Sequence, residues 1–221
     1  MADQATSMRK RGGGLGRFSL PDWAFLPVAA AVFAGLIMLA MTYRPTGQDP
    51  IVTDTQYLMT GPALGQLVPG PGTSVQLVTG AMEPLARMRA SASLEAAGRL
   101  SAGVAAIIPP EFEAAVIGRL LKVEAELRAE PGSELTEARL GYFTTGGGDS
   151  GWRPVPVSEE FRTVGFCWRV RPDAPTNGVE SVGVWPDVEG ADRVLLVREL
   201  RVTIQPEAID QATCEASLAA R

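Results

Sequence analysis

Hydrophobic positions fall into two regimes along this chain: one unbroken apolar run, then many short segments of period two. The run Trp23 to Tyr43 reads WAFLPVAAAVFAGLIMLAMTY, carries no charge, and is bounded by Asp22 and Arg44. As a helix at about 1.5 Å per residue, it is long enough for a hydrocarbon core of roughly 30 Å. Trp23 and Tyr43 stand at its ends, where amphipathic rings settle at a membrane interface. Pro27 falls in the first turns, where its missing N–H matters least. A buried helix of a globular domain is rarely so evenly apolar. A cleaved signal peptide is the rival reading, but the run exceeds the usual apolar region of one and no Ala-x-Ala pattern follows it.

After Arg44 the pattern changes. Residues 44–54 are polar, with Pro45, Gly47 and Pro50, and read as a linker. Then come short apolar or alternating segments separated by turn signals: SVQLVTG (74–80), ARMRASASL (86–94), GVAAIIP (103–109), LLKVEAELRA (120–129), ARLGYFTTG (138–146), FRTVGFCWRV (161–170), ESVGVWPD (180–187) and RVLLVRELRVTI (193–204). In 120–129, Leu121, Val123, Ala125 and Leu127 alternate with Lys122, Glu124, Glu126 and Arg128. Good helix formers are plentiful there, yet the strict alternation and the turn AEPGSE that follows favour a strand. The phase of the last segment shifts near Glu199, which predicts a bulge. The tail from Pro206 has a proline start and helix formers, predicting a short helix or arm. The expected fold is mainly β, an antiparallel β-sandwich (jelly roll) behind an N-terminal transmembrane helix. The expected divisions are 1–22 basic tail, 23–43 transmembrane helix, 44–54 linker, 55–205 sandwich and 206–221 tail.

Charge sets the orientation. Arg9, Lys10, Arg11 and Arg17 precede the apolar run against Asp3 and Asp22. The positive-inside rule then places the N-terminus in the cytoplasm and the remainder outside, on an inner (plasma) membrane with the sandwich in a periplasm. Ala31 and Gly35 form a small-xxx-small pair that can seat a partner helix. The net charge of -5 and pI of about 4.9 give no electrostatic footprint for nucleic acid. The chain has no histidine, which excludes Ser-His-Asp and Cys-His catalysis. Its two cysteines cannot build a cysteine-rich zinc site. GGGLG (12–16) lacks the Gly-Lys-Ser/Thr ending and the preceding strand of a P-loop, so it reads as flexible tail.

The stretch ELRAEPGSELTEARLGYFTTGGGDSGWRPVPVSEEFRTVGFCWRV, followed by VESVGVWPDVEGADRVLLVRELRV, resembles the carbohydrate-binding-module jelly rolls of galactose-binding-like fold. The likeness lies in Gly151-Trp152 ending a loop, in the strand patterns 161–170 and 182–187, and in the last strand 194–202. It covers roughly Thr73 to Ile204. The resemblance implies a sandwich that binds sugar through aromatics on a sheet face or at loop tips. This chain departs from it by having few such rings outside the apolar run: Tyr57, Tyr142, Trp152, Trp168 and Trp185.

The loop FTTGGGDSGW joins two of these strands. Gly146 to Gly148 permit positive φ, and Asp149 and Ser150 favour turns. No helix opens after it, so it offers no helix N-terminus to a phosphate. Trp152 has two readings, packing at the sandwich end or a stacking platform for a sugar ring with Tyr142 or Asp149 beside it. Trp168 shares parity with Val164, Phe166 and Val170 and is expected in the core, leaving Cys167, Arg169 and Arg171 outward. Trp185 is expected to be buried as well. Outside the cytoplasm disulfides persist, and Cys167 and Cys214 are the pair available; two free thiols are the alternative.

Acidic clusters at Glu111-Glu113, Glu159-Glu160 and Asp187-Glu189-Asp192 sit beside turn residues and read as solvated rims. The last can supply hard oxygen ligands to a structural calcium, without EF-hand spacing; no other cofactor is expected. A glycosidase would need a poised carboxylate pair that these clusters do not suggest. The sequence therefore points to a non-catalytic, membrane-anchored binding module for envelope or exported polysaccharide. A protein–protein scaffold or accessory subunit of a membrane complex, with an envelope protein as partner, is the alternative.

Overall fold

The computed structural model describes residues 22–42, 49–80, 83–97, 101–144, 148–173 and 178–220, with side chains omitted for 22–24, 26 and 39–42. The basic N-terminal tail and Thr145, Gly146 and Gly147 of the loop lie outside the described residues. The chain divides into two compact units, Met1–Pro45 and Thr46–Arg221.

The first unit holds helix α1 (Asp22–Thr42), within one residue of the expected span at each end. Pro27 lies inside it without ending it. Among the described residues no helix is long and apolar enough to cross a membrane. The Trp23 side chain and Tyr43, the expected interfacial rings, lie outside the described residues. Ala31 and Gly35 are exposed on this helix, and a Cβ on Gly35 would meet nothing within 4 Å.

The second unit runs β1 (Ile51–Val52), β2 (Gln56–Thr60), a 3-10 turn (Gly61–Gln66), β3 (Val68–Pro69), β4 (Thr73–Val78), β5 (Leu85–Ala90), α2 (Leu94–Ala97), β6 (Val104–Ile107), α3 (Pro110–Val116), β7 (Leu120–Ala129), β8 (Glu137–Phe143), β9 (Arg153–Pro156), β10 (Arg162–Arg169), β11 (Ser181–Trp185), β12 (Val194–Ile204) and α4 (Gln211–Ala219). Ile51 and Val52, inside the stretch expected as linker, pair with Leu58 and Tyr57.

Two antiparallel sheets form the sandwich. In the first, β12 is the spine: its N-terminal half pairs with β5 and its C-terminal half with β2, while β7 runs along its other side and β10 lies outside β7. β1 extends β2 and β4 extends β5. The register of β12 on β7 shifts between Val197 and Glu199, where the sequence phase changes. The second sheet has the order β3-β6-β11-β8-β9.

Alternation builds the core between them. Leu121, Val123, Ala125 and Leu127 of β7 and Leu195, Val197, Leu200 and Val202 of β12 face Val104, Leu140, Tyr142, Val182 and Val184 of the other sheet. Trp168, on the inward parity of β10, is half-buried and packs against this core. α3 carries Phe112 and Val116 into it, with the Phe112 ring 6.3 Å from that of Tyr57.

α4 starts at Asp210, whose side chain accepts from the Thr213 N–H at 2.8 Å, a standard N-cap. Cys167 of β10 and Cys214 of α4 are joined in a disulfide. The helix therefore lies on the outward side of β10, and the two sulfurs pack with Leu120, Ile209 and Leu218 in a second small cluster. Cys167 is outward by parity yet only 2% exposed, because α4 covers it.

Candidate functional site

The paired strands β8 and β11 carry the aromatic site on their outer face. Register sets Val182 opposite Tyr142 and Val184 opposite Leu140, both pairs inward. It sets Ser181 opposite Phe143, Gly183 opposite Gly141 and Trp185 opposite Arg139, all outward. Directly opposed residues of an antiparallel pair point to the same face. Two glycines facing each other leave a shallow floor in the middle of that face.

Rings fill this floor from two sides. A Cβ at Gly141 would stand 2.7 Å from Cζ of Phe143, whose ring folds back over it. A Cβ at Gly183 would stand 3.0 Å from Cη2 of Trp152 and 2.4 Å from the Ala102 carbonyl oxygen. The Trp152 ring meets Phe143 edge-on with centroids 4.8 Å apart, and Trp185 at 6.1 Å. Trp185 is fully buried and donates Nε1–H to the Asp187 carbonyl at 2.9 Å. Trp152 and Phe143 are half-buried, so these two rings are the part of the cluster that solvent reaches.

The loop before Trp152 is pinned by short-range polar contacts. The Tyr142 N–H donates to Ser150 Oγ at 2.8 Å, and the Ser150 N–H donates back to the Tyr142 carbonyl at 2.9 Å. Asp149 Oδ1 accepts from the Thr144 N–H at 2.8 Å. Gly148 and Gly151 have φ of 83° and 65°, the left-handed region that glycine enters without strain.

The three residues expected to form a sugar site separate. Trp152 packs against Phe143 and Trp185, the first of its two expected readings, and is half-buried. Asp149 is exposed near it, but one carboxylate oxygen closes the loop. Tyr142 does not belong to the site: strand parity turns it into the core, where it is fully buried. Its hydroxyl donates to Glu180 Oε2, and Glu113 Oε1 accepts from the Glu180 N–H at 2.8 Å. The ring beside Trp152 is Phe143, one residue on. The alternation of 138–146 held that information, since a buried Tyr142 requires an outward Phe143.

Glu113 also departs from expectation. It is 6% exposed rather than part of a solvated rim, because α3 turns it inward against the start of β11. Burial pushes the Glu180 carboxyl above the ordinary value of 4.5, the hydrogen bond from Tyr142 opposes this, and Glu113 adds to it. The Tyr142 hydroxyl is pushed up by burial and by Glu180.

The acidic loop after β11 is occupied by its own cations and amides. Asp187, fully buried, accepts from the N–H groups of Glu189, Ala191 and Arg193 and from Arg193 Nη2 at 2.7 Å. Burial pushes its carboxyl up, but the Arg193 guanidinium and these amides hold it below the ordinary range. Glu189 takes the same guanidinium at 2.6 Å, and Asp192 takes Arg89 at 2.8 Å. The three carboxylates expected as calcium ligands thus each face an arginine. Among the described residues no group of three or more His, Cys, Asp or Glu is placed to hold a metal.

No family model matches the chain, and no curated protein matches it. Solved structures with partial similarity include the CBM22-1 xylan-binding domain from Paenibacillus barcinonensis (8% identity, 64% of this chain and 87% of that one, TM-score 0.46). They also include the C-terminal family 22 carbohydrate-binding module of Clostridium thermocellum Xyn10B (15%, 73% and 100%, TM-score 0.43). A family 11 carbohydrate-binding module of a Clostridium thermocellum cellulosomal cellulase overlaps at 11% identity, over 76% of this chain and 97% of that one, with TM-score 0.38. All three are carbohydrate-binding modules. Overlaps at this level carry no argument about this chain's ligand.

Proposed function

We propose that this protein is a non-catalytic polysaccharide-binding module held at an inner (plasma) membrane by the helix 23–43, with its sandwich on the periplasmic side. The observation that carries the reading is the Trp152–Phe143 pair, two half-buried rings packed over the glycine floor on the outer sheet face. Sugars present apolar C–H faces that stack on such rings, while the rest of the surface stays polar. Envelope or exported polysaccharide is the ligand class that a membrane-held module of this orientation would meet.

The test is affinity electrophoresis of the full chain in detergent through a panel of soluble polysaccharides. Trp152→Phe is the informative variant, because it keeps a ring against Phe143 and Trp185 while shrinking the exposed face. Retardation by at least one polysaccharide, weakened about tenfold or more in the variant at unchanged melting, is the expected result; tenfold corresponds to about 1.4 kcal/mol. A wild type that no polysaccharide retards would refute the reading.

The second reading, a scaffold or accessory subunit of a membrane complex, draws on the exposed Ala31 and Gly35 of α1. Close helix approach at small residues would seat a partner helix. Gly35→Leu would then release co-purifying envelope proteins, whereas the polysaccharide reading expects no such loss.

A further inference from the structure

The inner face of the same strand pair carries acids that the aromatic face does not use. Tyr142 of β8, Glu180 just before β11 and Glu113 of α3 are 0%, 4% and 6% exposed. Tyr142 stands opposite Val182, so Glu180 lies diagonally across from it on the inward side. The Tyr142 hydroxyl donates to Glu180 Oε2, and the Glu180 N–H donates to Glu113 Oε1 at 2.8 Å. The Ile108 N–H donates to the Glu180 carbonyl at 2.9 Å. Glu180 therefore ties the end of β8 and the start of β11 to α3.

No cation offsets these carboxylates. Among the described residues, neither Glu113 nor Glu180 pairs with a lysine or arginine, and the one charged group acting on Glu180 is Glu113. Glu111, on the same helix as Glu113, is exposed. From β2, Tyr57 donates its hydroxyl to the Ile107 carbonyl at 3.3 Å. Burial pushes both phenols up, so neither ionises near neutral pH. Residues 174–179, which lead into Glu180, carry no charge. Burial raises the Glu180 carboxyl above its ordinary value, the Tyr142 hydroxyl opposes this, and Glu113 adds to it.

Ionised, Glu180 is a buried anion beside a second carboxylate, with one hydroxyl in place of water, and burial penalises that state. Relief lies outward. Gly178 is half-buried and Val179 exposed, so the start of β11 has solvent beside it. Moving Glu180 to that solvent breaks the Tyr142 bond and draws Ser181 from its place opposite Phe143. Resting on the reading of Trp152 and Phe143 as the binding face, we propose that the Glu113–Glu180 pair regulates that face by pH: with Glu180 protonated the β8–β11 end is closed under the rings, and with Glu180 ionised it loosens and binding weakens. The closed form is complete in acid and is lost as pH rises through the Glu180 titration.

The first test needs no ligand. Near-ultraviolet circular dichroism of the full chain in detergent is followed from about pH 4 to about pH 9, with the Trp152 signal taken as the difference from Trp152→Phe. The chain has no histidine and both cysteines are bonded, so few other groups titrate in that range. Glu199, also raised by burial, is on the outer face of the other sheet. The expected Trp152 signal titrates above the ordinary carboxylate value. Glu180→Gln, which keeps an acceptor for the Tyr142 hydroxyl, abolishes the titration. Glu113→Gln keeps the acceptor for the Glu180 N–H but removes its charge, so the midpoint falls. Tyr142→Phe removes the bond that favours the ionised form, so the midpoint rises. Residues that only pack would change the size of the signal, not move its midpoint in opposite directions. A flat signal, a titration that survives in Glu180→Gln, or a midpoint that neither other variant moves overturns the proposal. Affinity electrophoresis with the soluble polysaccharides adds a second readout. The dissociation constant is expected to rise about fivefold or more across the same midpoint in wild type and to stay level in Glu180→Gln. A polysaccharide bound equally at every pH overturns the regulation and leaves the binding reading intact. A chain that no polysaccharide retards, but whose Trp152 signal titrates as described, refutes the binding reading and supports the buried pair as the control of that face.

Discussion

Removing the Cys167–Cys214 disulfide tests how much of this fold's stability depends on a constrained unfolded chain. The two cysteines lie 47 residues apart in sequence. Loop-closure entropy for a ring of that size gives about 4 kcal/mol at room temperature. This is an upper figure, because unfolded chains retain some compactness. The native side of the balance changes little when both residues become alanine. Leu120, Ile209 and Leu218 still surround the site, and Asp210 still caps α4. Where α4 frays in the variant, the native state regains entropy and the loss shrinks. Urea unfolding of wild type and the Cys167→Ala/Cys214→Ala variant, followed by tryptophan fluorescence, measures the difference. Trp168 and Trp185 report the sandwich, not α4. The expected outcome is a loss of about 3 to 4 kcal/mol in one cooperative transition, reproduced by reducing the wild type. A loss under about 1 kcal/mol would sink the loop-entropy account. So would a new early phase for α4 alone in far-ultraviolet circular dichroism, with the fluorescence transition unmoved.

The remaining predictions concern the buried polar groups and the aromatic floor. Gly183→Ala places a Cβ 2.4 Å from the Ala102 carbonyl and 2.7 Å from Phe143 Cε2, so it costs about 1 to 3 kcal/mol by thermal melting and displaces Trp152; an unchanged melting temperature would show that the floor is not closed. Glu180 has a folded-state pKa raised by burial, so its contribution to stability is complete below about pH 4.5 and is lost as pH rises through the raised value. Glu180→Gln therefore flattens the decline of stability above that pH, and parallel pH–stability curves would contradict it. Asp187→Ala leaves three backbone N–H groups without their acceptor and Arg193 with Glu189 as its remaining partner, and costs about 3 kcal/mol, the low end for a broken buried pair because the Arg193 side chain is a quarter exposed and keeps that partner. Chelating divalent metal leaves the melting temperature where it was; a drop on adding chelator would put a cation back in that loop.

The sheets were legible in the sequence where the solvent boundary imposes a period. The alternating segment 120–129 is β7 residue for residue, and the phase change near Glu199 is the register shift of β12. Both signals come from a strand with one face on a core, where a one-residue slip would bury charge. The signal fails where that constraint lapses. QYLMT is β2, but five residues beside a polar linker hold too little alternation to stand out. RPVP is β9, whose prolines argue against a strand unless it lies at an edge, which is where it lies. PEFEAAV is a helix of about two turns with Phe112, Glu113 and Val116 buried, and its two glutamates gave the appearance of a solvated rim although Glu113 reaches inward.

The site was harder to read than the fold because its composition and its parity disagree. Tyr142, Asp149 and Trp152 are the residue types that recognise sugars, and they lie close in sequence. Chemistry selects them; geometry divides them. Tyr142 shares a face with Val182 in the adjacent strand, so any register that buries one buries the other. Its hydroxyl then needs a partner within the protein, and Glu180 and Glu113 are buried to meet that need. The same register turns Phe143 outward, opposite Ser181, next to the floor that the two glycines open. A nearby phenylalanine with no polar handle is easily passed over in a search for sugar-binding types. The outward face of β8 is nonetheless what places a ring beside Trp152, and exchanging Phe143 for leucine should weaken any ligand that Trp152→Phe weakens. If only the tryptophan matters, the pair is a packing contact and Trp152 alone is the platform.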